Sequence, residues 1–173
     1  MTEIQAPKGE MGSLPIVTFT RLLPGPVERV WSHLTEPERL PAWFGTDACI
    51  EPRQGGQVRL MGGHIRGVVT CWQPPHRLVY TWNVFAPDDP ANAVSALPES
   101  YPTFELVEQG GKVQLTFRHF PVLERFLAQN AMGWHTMLDL LGFTLAGEVV
   151  PDRADLSKRN AALYGVDLAD LAR

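Results

Sequence analysis

A chain of 173 residues, 45% hydrophobic and 20% charged, is long enough for one globular domain with a sizeable core and too short for two domains of ordinary size. Its formal net charge of −4, with no run of Lys and Arg, removes the general attraction to phosphate backbones and disfavours nucleic acid as a partner. No apolar run approaches the roughly 20 residues of a spanning helix. The opening MTEIQAPKGEMGS also lacks the basic start and apolar centre of a secretion signal, so a cytoplasmic protein with no membrane partner is expected.

Residues 1–13 are polar and aperiodic and are predicted to form a flexible lead. The first strand is expected over residues 14–23, where Ile16, Val17, Phe19, Leu22 and Leu23 end at Pro24-Gly25-Pro26. Pro26 suits the start of a short helix carrying Val27, Val30, Trp31 and Leu34 on one side. Glu36-Pro37-Glu38 opens a second helical turn, which Pro41 is expected to cut short.

From Thr46 to His119 the pattern is that of strands and turns, broken at Gly55-Gly56, Gly62-Gly63, Pro74-Pro75 and Gly110-Gly111. Within "RLVYTW", residues 77–82, Leu78, Tyr80 and Trp82 share a face too bulky and aromatic to be left in water. Residues 85–101, rich in Pro, Ala, Asp and Ser, read as a long mobile connection over the surface or across a pocket mouth. After Pro121 the period becomes helical to about residue 147, with Leu123, Phe126, Leu127, Trp134, Met137, Leu138, Leu141 and Leu145 on one face. Gly133 and Gly142 interrupt that helix, which calls for a close sheet backbone or for room beside Trp134. Residues 149–173 form a helical extension packed on the body or on a second subunit, so a homodimer is possible on this pattern.

These elements describe an α+β domain over residues 14–148: a curved antiparallel sheet of six or seven strands wrapped around one long C-terminal helix, with two short helices after the first strand. A sheet bent around one helix closes poorly at one end and leaves a cavity. Candidate ligand-binding residues are the large apolar side chains on alternating strand positions and along the helix: Trp72, Tyr80, Trp82, Phe104, Phe117, Trp134 and Leu138.

Polar groups decide between storage and chemistry. By period two, His64, Arg66, Val68, Thr70 and Trp72 share one strand face, and Val113, Leu115, Phe117 and His119 another. If both look inward, Arg66 binds a carboxylate or enolate oxygen while His64 or His119 moves a proton in an aldol-type cyclisation or dehydration. Exposed positions beside turns explain the same histidines without chemistry. His135 lies off the apolar face. The five histidines show no HxxxH or HxH spacing, and the two cysteines, Cys49 and Cys71, fit no metal pattern and are expected to be buried thiols. No metal and no cofactor is predicted, and nucleophile-elbow, phosphate-loop and dinucleotide fingerprints are lacking.

The stretch "RLLPGPVERVWSHLTEPERLPAWFG" resembles the opening of the activator of Hsp-90 ATPase homologue family, within the START-like (SRPBCC, helix-grip) superfamily. "GVVTCWQPPHRLVYTW", "TFELVEQGGKVQLTFRHF" and "GWHTMLDLL" follow in the matching order. The resemblance implies the helix-grip fold and a hydrophobic ligand, such as a lipid, sterol or polyketide, held between sheet and long helix. It also implies an aromatic pair, here Trp43 and Phe44, near the cavity entrance. Binding of a small hydrophobic molecule without covalent chemistry is therefore the leading expectation. The alternatives are a polyketide cyclase or dehydratase using Arg66 with His64 or His119, and a protein-interaction role such as an Hsp-90 co-chaperone.

Overall fold

The computed structural model describes residues 12–85 and 97–169. The expected flexible lead, up to residue 11, and the expected mobile connection, over 86–96, lie outside the described residues.

Strand β1 (Val17–Pro24) leads through Pro26 into helix α1 (Val27–Thr35), whose Val27, Val30, Trp31 and Leu34 are buried, as spacing at three and four requires. Helix α2 (Pro41–Phe44) follows. Pro41 opens this helix rather than ending it, because at the first helical position a proline's missing N–H would have found no partner anyway. Strands β2 (Cys49–Ile50), β3 (Gln57–Leu60), β4 (Ile65–Gln73), β5 (Arg77–Tyr80), β6 (Asn83–Val84), β7 (Tyr101–Gln109) and β8 (Lys112–Phe120) then form the sheet. Helices α3 (Leu127–Ala146) and α4 (Arg153–Tyr164) complete the chain.

The sheet is antiparallel throughout, in the order β1-β8-β7-β5-β4-β3-β2, with β6 alongside β4. Among the described residues it has eight strands, more than the six or seven expected because β2 and β6 are only two residues each. Strands β7 and β8 pair from Tyr101↔Phe120 to Gln109↔Lys112, closed by Gly110 and Gly111 at φ 58° and 78°. Both turn positions need a positive φ, which glycine adopts without steric cost.

One sheet face packs on α1, α2 and α3. From β8 it receives Val113, Leu115, Phe117 and His119, from β7 Phe104 and Leu106, and from β5 Leu78 and Tyr80, all buried. Helix α3 answers with Trp134, Met137, Leu138, Leu141 and Leu145. It starts later than expected, since residues 124–126 form a 3-10 turn before the α-helix begins.

Strand β4 corrects one expectation. Its inward residues are Ile65, Gly67 and Val69, whereas Arg66, Val68 and Thr70 are exposed. Period two groups residues on a face but does not say which face the core takes. A register shift between Val69 and Cys71 then reverses the alternation, so Trp72 leaves the Arg66 face and meets Trp31, ring centroids 5.1 Å apart. Gly67 sits where β5 bends into β6: a Cβ there would stand 1.8 Å from the Thr81 carbonyl oxygen.

Helix α4 packs on α3 of its own chain. Asp152 caps it, accepting from the Ala154 N–H at 2.7 Å. Fully buried Asn160 donates to Thr136 Oγ1 at 3.1 Å and Asp139 Oδ2 at 3.2 Å. Arg159 also reaches Asp139, and Tyr164 meets His135 Nδ1 at 2.9 Å. Both cysteines are free, but Cys49 is exposed rather than buried. Among the described residues, no helix is long and apolar enough to cross a membrane and no group of His, Cys, Asp and Glu is placed to hold a metal ion.

Candidate functional site

The face that begins with Leu78 and Tyr80 in the packed core reaches an opening at Trp82. The Trp82 backbone N–H donates to the Ser100 carbonyl at 2.7 Å, joining the end of β5 to the start of β7. Its indole is 9% exposed and lies 5.1 Å from the Trp134 ring and 5.5 Å from the His119 ring.

Two adjoining chambers meet at this residue. The first, of about 340 Å³, lies between Leu14, Pro15, Ser100, His119 and the turn from Pro121 to Phe126. The second, of about 270 Å³, lies between Met61, His64, Ile65 and the α3 residues Gly133, Trp134 and Met137. Trp82, Val84, Leu97, Phe126 and Asn130 contribute to both. A Cβ added at Gly133 would meet nothing within 4 Å, so this glycine makes room beside Trp134 rather than admitting the sheet backbone.

The hydrogen bonds fix the chemistry of the two histidines. Trp134 Nε1–H donates to His119 Nδ1 at 2.8 Å, and an indole nitrogen can only donate. Neutral His119 therefore carries its proton on Nε2 and donates it to Ser100 Oγ at 2.7 Å. A second proton, on Nδ1, would face the indole N–H donor to donor. Burial acts in the same direction and pushes the His119 pKa down to about 4. At neutral pH His119 is an uncharged structural link with both nitrogens engaged, a poor proton carrier. His64 is the mirror case: Nδ1 lies 2.6 Å from the Phe85 carbonyl oxygen, which can only accept, so Nδ1 carries a proton and, in the neutral ring, Nε2 keeps the lone pair.

Arg66 does not join them. It lies on the exposed face of β4, its Nε donating to the Gly63 carbonyl at 3.0 Å and its guanidinium 4.7 Å from the Phe85 ring centroid. The convergence of Arg66, His64 and His119 on one point is thus absent: the histidines line neighbouring chambers and the arginine faces out, because the β4 face was inverted.

Of the aromatic and aliphatic residues expected to line the ligand space, Trp82 and Trp134 do so. Trp43, Phe44, Tyr80, Phe104 and Phe117 are packed together beside it. Trp43 donates to the His33 carbonyl at 2.8 Å, the Phe44 ring lies tilted against the Trp43 ring with centroids 4.0 Å apart, and Phe104 lies 5.0 Å from Phe117. The Tyr80 hydroxyl is buried with no hydrogen-bond partner among the described residues, and desolvation raises its pKa well above the usual phenol range. Trp72 packs on Trp31, and Leu138 borders a separate cleft between α3 and β1. Sequence reasoning missed Ser100, Phe126 and Asn130. Ser100 sits in the stretch with no periodicity, while Phe126 reads as one more apolar residue of the helix.

The sequence profile described as Activator of Hsp90 ATPase homolog 1-like protein matches residues 24–146. The chain belongs to this family. Among solved structures, this Activator of Hsp90 ATPase homolog 1-like chain is similar to CalU16 from Micromonospora echinospora, at 26% identity and TM-score 0.65 over 87% of this chain and 85% of that one. A Bordetella parapertussis protein has 24% identity and TM-score 0.69 over 94% and 93% of the two chains. An HSP90 activator from Plasmodium falciparum shares the fold at 19% identity and TM-score 0.61, covering 78% of this chain and 97% of its own. The helix-grip α+β architecture expected for this family is the one observed. A comparison with curated proteins gives no match.

Proposed function

We propose that the protein binds a small hydrophobic ligand in the two chambers between the sheet and α3, without covalent chemistry. One observation carries this reading: adjoining apolar spaces of about 340 and 270 Å³ meet at Trp82, Val84 and Phe126, with the wall chemistry of small-molecule sites and, for the first, their size. The engaged state of His119 and the outward position of Arg66 argue in the same direction, since neither supplies a proton or a charge to a bound molecule.

N-phenyl-1-naphthylamine, a neutral apolar fluorophore, tests the reading. It is expected to bind saturably, with energy transfer from the neighbouring tryptophans. Trp82→Ala removes shared wall and is expected to weaken binding about tenfold or more, as loss of a buried aromatic contact does. Gly133→Leu, which projects into the second chamber, is expected to weaken it similarly while the protein stays folded by circular dichroism. Binding that both substitutions leave unchanged places the probe elsewhere and refutes the proposal.

A further inference from the structure

The chambers are apolar but not featureless, and beside the Asn130 and Gln129 amides they carry two groups whose hydrogen-bonding polarity follows from the histidine tautomers. In the first chamber His119 Nε2–H donates into Ser100 Oγ at 2.7 Å, so the Ser100 oxygen is already used as an acceptor. What Ser100 has left to give is its own proton. The present acceptor of that proton is the Trp82 carbonyl oxygen at 3.4 Å, a long contact which that oxygen also shares with the Ser100 backbone N–H at 3.4 Å. A better-placed acceptor in the chamber would take it readily. In the second chamber the opposite holds. With Nδ1 tied to Phe85, a neutral His64 has the Nε2 lone pair to offer a ligand.

Charge narrows the class further. Among the described residues neither chamber is lined by Lys or Arg, and the one ionisable carboxylate on the first is Glu124. An anionic headgroup entering these walls would lose its hydration without gaining a Lys or Arg partner, a large penalty. Both spaces border Trp82, Val84 and Phe126, so a molecule that reaches past these side chains would touch both.

Building on the binding reading above, we propose that the ligand is a neutral apolar compound carrying one carbonyl and one hydroxyl group. Its carbonyl oxygen accepts from the Ser100 hydroxyl and its hydroxyl group donates to His64 Nε2. Carboxylic acids, fatty acids among them, are the class this arrangement rejects.

The test is a calorimetric comparison of five probes: naphthalene, 2-naphthol, 2-acetylnaphthalene, 6-acetyl-2-naphthol and 6-hydroxy-2-naphthoate. Each neutral hydrogen bond is expected to tighten binding about fivefold over naphthalene, so 6-acetyl-2-naphthol gains about 25-fold and the naphthoate binds more weakly than 2-naphthol. His64→Leu should erase the gain from the hydroxyl only, and Ser100→Ala the gain from the acetyl only. Naphthalene binding serves as the control that each variant keeps its chambers, and the wild-type comparison stands even where a variant does not fold. Naphthalene bound as tightly as its neutral derivatives overturns the assignment while sparing the hydrophobic-ligand reading. Tightest binding of the naphthoate overturns it as well. If none of the five binds, the underlying reading fails together with it.

Discussion

The environment of His119 has a consequence for stability that can be signed. In the unfolded chain the imidazole takes up a proton near pH 6.5, whereas in the folded protein burial delays protonation to about pH 4. Between those values the unfolded state binds more protons, so the stabilising contribution is complete above pH 6.5 and is lost as the pH falls toward 4. At pH 4.5 the loss is about 2–3 kcal/mol relative to pH 7, by the proton-linkage relation. His33 and His135 are shifted in the same direction, each mainly by desolvation, and add to the acid sensitivity. Urea unfolding at the two pH values measures it, and His119→Gln is expected to remove most of the pH-dependent difference attributed to this residue. The Trp134 indole N–H can be separated from burial. Trp134→Phe deletes the donor facing Nδ1, and the His119 pKa followed by NMR of the imidazole C–H protons is then expected to rise.

At the scale of elements, two joints hold the architecture. Strand β4 and the bent β5–β6 segment approach so closely at Gly67 that the Thr81 oxygen occupies the space of a Cβ. Thr81 N–H and Oγ1 bond to the Val68 backbone at 3.0 and 2.9 Å, so neither side can retreat without losing ladder bonds. Gly67→Ala is therefore expected to destabilise by at least about 2–3 kcal/mol in chemical denaturation, the range of overpacking with backbone displacement. The second joint is Asp139, which holds α4 through Arg159 and Asn160 and faces His135 Nε2 at 3.6 Å. Asp139→Ala leaves the buried Asn160 amide with one partner fewer, a cost of about 1–3 kcal/mol. Hydrogen exchange is expected to accelerate over 153–164 while the amides of β7 and β8 stay protected. These joints explain what was legible in the sequence. The α1 and α3 faces and the β7–β8 hairpin follow from local periodicity and paired glycines, as does the inward face of β8. The face of β4 was not legible, because a one-residue register shift and a close contact to a residue 14 positions away decide it. The chamber walls were legible at Trp82, Trp134, His64 and His119 and not elsewhere. Large aromatics mark a core and a cavity alike, and nothing local separates Phe117, packed at 4.2 Å on Trp134, from Phe126, which borders open space.

For the whole molecule, the chambers represent core that was not filled, and α3 shows why. Glycine inside a helix costs about 1 kcal/mol relative to alanine, and at Gly133 neither a clash nor a positive φ requires it. A methyl group there would contact nothing of the protein, so Gly133→Ala is expected to stabilise the empty protein by about 1 kcal/mol, raising Tm by about 2–4 °C for a chain of this size. A protein whose interior served only to fold would gain from that change without loss. One that holds a ligand beside Trp134 would not. Ligand binding to the native state adds stability that grows with the ratio of free ligand to Kd, and a methyl projecting into the second chamber raises Kd. The prediction is a crossing. Without ligand, Gly133→Ala melts above wild type, and with saturating N-phenyl-1-naphthylamine the wild type gains more and the gap narrows or reverses. Calorimetric melts of both proteins with and without the probe measure it. A parallel rise of the two, with the difference preserved, means that the space beside Gly133 takes no part in holding the ligand.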